Sequence, residues 1–151
     1  MSNKKISIAI IVSDFHSEIT DQLLSGSLST LIKFGIDENN IKVLKVPGAI
    51  EIPLIAKFLA MKKKYDAIIC LGAVIRGETS HYEYVCQQVS HGCQKIMLEF
   101  NIPIIFGVLT TENLKQAKER SSEAKKHKGI EAAHAAINMI ALIQTMHNAD
   151  C

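Results

Sequence analysis

Four short runs dense in isoleucine and valine, Ile6 to Val12, Ile41 to Val46, Ala67 to Ala73 and Ile104 to Leu109, constrain this chain more than any other feature. None shows the apolar and polar alternation of a strand with one wet face, so each reads as a strand buried on both faces. Such strands are parallel, because crossover helices lying on both sides of the sheet are what keeps them dry. The segments between them have helical spacing. Ile19, Leu23, Leu24, Leu28, Leu31 and Ile32 form one stripe, which Gly35 closes. A second helix follows Pro53, and a third carries Tyr82, Val85, Cys86, Val89, Cys93, Ile96, Met97 and Phe100 on one face. Strands alternating with helices of this length imply right-handed crossovers, and hence an α/β, three-layer αβα sandwich around a four-stranded parallel sheet.

At 151 residues and 48% hydrophobic, the chain reads as a single domain spanning 1–151, large enough to bury roughly two thirds of the surface its unfolded form exposes. Lys and Arg total 17 against 15 Asp and Glu, and a net charge of +2 argues against nucleic acid as a partner. Met1 to Val12 could mimic a short signal peptide, but Ser7 interrupts the apolar run and Asp14 stands where a small cleavage-site residue belongs. It is read as a strand. No run approaches the roughly eighteen apolar residues of a membrane span, so a soluble, cytoplasmic protein is expected. Cys70, Cys86, Cys93 and Cys151 lack the paired spacing of zinc or redox motifs and read as reduced thiols. After the fourth strand come a charged segment, Leu114 to Lys128, and a last helix, Ile130 to His147, apolar on more than one face. That excess apolar surface points to contact with other subunits.

In open parallel sheets, ligands bind beyond the carboxyl ends of the strands. Arg76-Gly77-Glu78-Thr79-Ser80-His81 follows the third strand, and Ser80 with Glu83 fits a capping box that puts His81 at the first helical position. Gly77 permits a tight turn there, and the Glu78 and Thr79 amides then lie at the positive end of the helix dipole, a site suited to phosphate. The same dipole disfavours an imidazolium at His81, which leaves the ring able to exchange protons with a ligand. Read locally, the same residues also describe a plain helix start with a solvated histidine. Val46-Pro47-Gly48-Ala49-Ile50-Glu51-Ile52-Pro53 should run extended from Ala49 to Ile52, offering backbone groups to a flat heterocycle and Glu51 to hydroxyls. Its plainer reading is a proline-rich turn with a surface glutamate. Phe15 offers a ring able to stack on a planar ligand, or else belongs to the core.

Together these stretches resemble the lumazine synthase family. Pro47 to Pro53, Leu71 to Val85, Phe106 to Asn113 and Gln116 to Arg120 carry the likeness in order and spacing over nearly the whole chain. The resemblance implies a flavodoxin-like fold and condensation of 5-amino-6-(D-ribitylamino)uracil with 3,4-dihydroxy-2-butanone 4-phosphate to 6,7-dimethyl-8-ribityllumazine, without metal or cofactor. It further implies that Phe15 stacks on the pyrimidine, that Ala49, Ile50 and Glu51 contact its ring and ribityl chain, and that Ala73, Val74 and Ile75 line the ring pocket. Glu78 and Thr79 would bind the phosphate through their backbone. His81 would transfer protons, Phe106 would form a second aromatic wall and Arg120 would pair with phosphate, with Arg76 and Lys128 in support. Small molecules are the implied substrates. The resemblance also implies self-association into a pentamer, leaves a decamer or a sixty-subunit shell open, and places the later group, Phe106 and Arg120, across a subunit boundary from the earlier one.

The chain departs from the family pattern at His16, often asparagine in relatives, and at Lys126-His127-Lys128-Gly129, where relatives carry Gly-Asn-Lys-Gly. Ser121 to Lys125 also lacks glycines common there. His91 and His134 read as helix-surface or packing residues. Two other functions fit the same fold, a non-catalytic module that binds a phosphate ligand and a shell-forming protein that has lost catalysis. Retention of both His81 and Arg120 weighs against the first.

Overall fold

The computed structural model describes residues 5–122 and 125–149, so the readings that involve Met1 to Lys4, Glu123, Ala124 and Cys151 lie outside the described residues. Four strands, β1 (Ile8–Ser13), β2 (Ile41–Val46), β3 (Ala67–Ile75) and β4 (Ile104–Thr111), form one all-parallel sheet in the order β2-β1-β3-β4. Helices α1 (Ser17–Lys33), α2 (Ile52–Met61), α3 (His81–Phe100), α4 (Leu114–Ser122) and α5 (Lys128–Asn148) cover it.

Alternation along each strand divides the core in two. Ile8, Ile10 and Val12 of β1 and Ile69 and Leu71 of β3 pack under α1, α4 and α5, whereas Ala9, Ile11, Ile68 and Cys70 pack under α2 and α3. Both faces of β1 and of most of β3 are thus dry, the burial that the unbroken apolar runs require. Three layers result, as the α/β reading expects. The first crossover leads to β2 on one side of β1 and the next leads to β3 on its other side, so the carboxyl ends of β1 and β3 flank the point where strand order reverses.

Helix ends follow local chemistry. Gly35 takes φ +90 after α1, while the Ile36 amide reaches back to the Leu31 carbonyl at 3.1 Å, a left-handed stop that a Cβ would strain. The expected extended stretch from Ala49 to Ile52 is not extended: Ala49–Glu51 is a 3-10 turn, and Ile52 is helical although it precedes Pro53. Burial of Ala49 and Ile52 against the sheet overrides the pre-proline preference, and the Gly48 amide donates to Glu51 Oε2 at 3.0 Å to close the turn.

The charged segment contains α4, whose inward residues are only Ala117 and Ser121. Asn113 Oδ1 accepts from the Gln116 amide at 2.9 Å, and Gln116 Oε1 accepts from the Glu112 amide at 2.8 Å, so side chains satisfy this helix start. Helix α5 begins two residues earlier than expected. Its N-cap is His127, whose Nδ1 accepts from the Ile130 amide at 3.3 Å, the task an asparagine performs at such a position. Where α5 crosses α1 the backbones are close: a Cβ on Gly129 would lie 2.1 Å from the Leu23 carbonyl oxygen, and Ser27 Oγ donates to the Gly129 carbonyl at 2.6 Å. One face of α5 is therefore buried within the chain, with Ile137 half-buried beside it, while Met139, Leu142 and Met146 stay exposed.

Candidate active site

Three loops at the carboxyl ends of β1, β2 and β3 enclose a cavity of about 340 Å³. From the β1 loop come Phe15 and His16, from the β2 loop Gly48, Ala49 and Ile50, and from β3 itself Ala73, Val74 and Ile75. Gly77, Thr79, His81, Tyr82 and Val85 close it on the side of α3. The Phe15 ring is 67% exposed and meets His16 edge-on with centroids 4.4 Å apart, so it belongs to the cavity wall and not to the core. His16 takes φ 61, a left-handed conformation in which asparagine, aspartate and histidine are enriched among residues other than glycine. Neither Glu51 nor Glu78 lines the cavity by its side chain; Glu51 is held on the Gly48 amide instead.

His81 is the first residue of α3, where the sequence places it, and its amide donates to Thr79 Oγ1 at 3.3 Å. The expected capping box does not form. Ser80 occupies the N-cap without a side-chain cap bond, and the Glu83 carboxylate is turned away to the Arg76 guanidinium. A charge-assisted bond to a guanidinium outweighs one to a neutral amide. Arg76 Nε also donates to Glu112 Oε2 at 2.6 Å, and the Tyr82 ring lies 4.4 Å beneath the guanidinium. Hydrogen bonding to Glu83, then to Glu112, raises the Arg76 pKa, and the same contact to Arg76 lowers that of Glu83. Burial raises the Tyr82 phenol against the opposing effect of a hydrogen bond with Thr110. Among the described residues, no acceptor is paired with the Glu78, Thr79 or Ser80 amides. Gly77 has open space where a Cβ would sit and no positive φ, so the turn does not demand glycine as the sequence suggested.

Phe106 and Arg120 do not reach this cavity. They lie with Lys128 around a second depression of about 440 Å³, walled also by Thr110, Gln116 and Lys126, between the end of β4 and the α4–α5 junction. Lys128 Nζ donates to Glu131 Oε1 at 3.0 Å. The sequence-predicted residues therefore fall into two clusters within one chain, with Arg76, Tyr82, Thr110 and Glu112 forming the partition. Tyr82, Val85, Gln116, Thr110 and Lys126 are among the lining residues that sequence reasoning missed. The first two stood in the apolar stripe of α3 and read as core. Gln116 was recoverable, since Asn113-x-x-Gln116 is itself a capping pattern. A wider depression of about 510 Å³ at the opposite end of the sheet, near Tyr65, Pro103 and His147, gathers none of these residues.

The described cysteines lack the setting of nucleophiles. Cys70 and Cys93 are buried against each other under α3, and that contact together with burial raises the Cys70 pKa, while the contact with Cys70 lowers that of Cys93. Burial raises Cys86. No helix among the described residues is long and apolar enough to cross a membrane.

Comparison with known proteins bears directly on this arrangement. The family model for 6,7-dimethyl-8-ribityllumazine synthase matches residues 5–144. Proteins of that name from two strains of Coxiella burnetii, CbuG_Q212 and RSA 493 / Nine Mile phase I, are each 51% identical to this chain over 150 residues, covering 99% of both sequences. Both cavities and the partition between them fall inside the matched region. The chain belongs to the 6,7-dimethyl-8-ribityllumazine synthase family.

Proposed function

We propose that the chain catalyses the riboflavin-pathway condensation of 5-amino-6-(D-ribitylamino)uracil with 3,4-dihydroxy-2-butanone 4-phosphate, releasing phosphate and water as 6,7-dimethyl-8-ribityllumazine forms. The observation that carries this reading is the cavity at the strand-order reversal, where an aromatic ring, an apolar slot and His81 meet a helix start with unpaired amides. The slot from Ala73 to Ile75 and the Phe15 ring suit a planar pyrimidine. The Glu78 and Thr79 amides suit a phosphate. His81 then stands between the two, where a proton must leave the attacking amine and others must reach the leaving oxygens. Much of the acceleration comes from holding the two reactants together.

The second cluster completes the site from a neighbouring copy. Phe106 provides the other aromatic wall and Arg120, backed by Lys128, grips the phosphate. Two features support this. The clusters open into separate cavities of one chain, and apolar surface remains exposed on opposite sides of the sheet, at Ile50 in the first cavity and Leu54, Phe58 and Met61 along α2, and at Met139, Leu142 and Met146 on α5. An interface that joins two different surfaces closes into a ring, and a cytoplasmic pentamer is the assembly we infer. The test is a steady-state assay with the two substrates, following the absorbance of the lumazine product. Turnover is expected. Its absence in folded, assembled protein would leave the phosphate-binding and shell-forming readings.

A further inference from the structure

Ser80 and Glu83 have the spacing of a capping box, in which the glutamate carboxylate reaches back to the N-cap amide. In this chain that carboxylate sits in the first turn of α3. Being tethered, it competes with any free phosphate at an effective concentration in the millimolar range or above, by the usual magnitude for short linkers. It is not on the amides. Arg76 Nη1 holds Glu83 Oε1, Arg76 Nε holds Glu112 Oε2 at 2.6 Å, and the Tyr82 ring fixes the guanidinium from below at 4.4 Å. One guanidinium against two carboxylates leaves the cluster with a net negative charge, and two of its donor positions are already engaged. The cluster is thus poorly suited to bind a phosphate itself.

We infer that Arg76 is a positioning residue for phosphate binding: it draws the Glu83 carboxylate away from the Ser80 amide at the start of α3 and so keeps a tethered negative charge off the turn whose Glu78 and Thr79 amides take the substrate phosphate. This rests on the phosphate site proposed above. The start of α4 shows the alternative outcome: its N3 side chain, Gln116, carries no charge for Arg76 to draw off, and it bonds the Glu112 amide while Asn113 bonds the Gln116 amide.

Kinetics on the assembled enzyme and on Arg76→Met, Glu83→Ala and the double variant separate this role from simple support of the loop. Inorganic phosphate is the probe, read as its inhibition constant in competition with the four-carbon sugar phosphate, with KM for the pyrimidine measured alongside. Arg76→Met is expected to raise the phosphate inhibition constant at least about tenfold, with the pyrimidine KM changed less than about threefold. Adding Glu83→Ala should return the phosphate constant to within about threefold of wild type, because the competing carboxylate is gone and no acceptor replaces it. Arg76→Lys retains one ion pair and should show a smaller rise that the same second change reverses, which keeps the test usable if Arg76→Met does not fold. A double variant as impaired as its arginine parent would overturn the inference, as would unchanged phosphate inhibition in both arginine variants. Failure of phosphate to compete in the wild type would instead show that the phosphate site itself is misassigned, and this inference would fall with it.

Discussion

At the start of α3 Ser80 stands three residues before Glu83, and at the start of α4 Asn113 stands three residues before Gln116. Both are capping patterns, yet only the second closes. Asn113 spends its side chain on the Gln116 amide in the first turn of α4, and Gln116 spends its own on the Glu112 amide just before the helix. At α3 the serine makes no cap bond and the glutamate belongs to Arg76, so the amides before His81 remain unpaired beside a cavity. A helix that leaves its own amides unsatisfied where a ligand can enter gives up cap stability, roughly 1 kcal/mol by usual magnitudes, and in return holds fixed donors toward an anion. One start serves the fold, and the other serves chemistry.

Substitutions at the two starts should therefore differ in kind. The largest expected effect is at the open one: His81→Ala should lower kcat by about a hundred to ten thousand-fold with much less change in KM, as for the loss of a positioned acid or base. Wild-type kcat in a folded variant would remove His81 from the proton-transfer role. Next comes Arg120, which α4 presents to the second depression. Arg120→Ala should weaken binding of the sugar phosphate at least about tenfold, and Arg120→Lys should also be impaired, since an ammonium cannot offer two parallel hydrogen bonds. Equal losses for phosphate and pyrimidine in binding titrations would point to a structural role. Asn113→Ala should cost about 1 kcal/mol in denaturant unfolding, whereas Ser80→Ala should stay within about 0.5 kcal/mol of wild type because no cap bond is lost. Equal destabilisation by the two would erase the distinction between the starts.

The smallest effect concerns a third start, that of α5, closed by His127. Burial lowers the His127 pKa below its ordinary 6.5, against hydrogen bonds with the backbone at Gln22 and at His127 itself that raise it. Nδ1 must be unprotonated to accept from the Ile130 amide. The neutral form is thus favoured by folding, so its contribution is fully present above pH 6.5 and is lost as pH falls through 6.5 toward the folded value. Thermal melts from pH 8 to pH 5 should show this loss in the wild type and a flatter profile in His127→Asn, which keeps a cap acceptor without the titration. Identical slopes would mean that the cap does not titrate in this range.

Much of this architecture was legible before any coordinates. The four apolar runs located the strands to within two residues at their ends, and burial on both faces explains this for β1 and most of β3. The edge strand β2 is not dry on both faces as expected: it buries only Val46 and leaves Lys42 and Lys45 exposed. The cavity loops were legible for a related reason, since a parallel sheet sends its functional loops to one end. What escaped were outcomes of competition between partners. Helix α4 hides in a charged stretch because Ala117 and Ser121 are its only buried positions, too few to form a stripe. The turn at Ala49–Glu51 defies the preference set by Pro53 because Ile52 gains more from burial. Glu83 abandons its cap because Arg76, seven residues away in sequence, is adjacent in space. His127, a departure from its relatives in sequence, proves to cap α5.

The proposed site is built from two copies of the chain, His81 and its open helix start from one and Arg120 from the next. Co-expression of His81→Ala with Arg120→Ala tests this most directly. With the sugar phosphate held well below its wild-type KM, neither variant alone should turn over at more than about a tenth of the wild-type rate. In a ring assembled at random from equal amounts of both, about a quarter of the boundaries pair an intact His81 with an intact Arg120. The mixed assembly should then recover about a quarter of wild-type activity. Activity no higher than the mean of the two separate variants, in assemblies shown to contain both chains, would contradict a shared site.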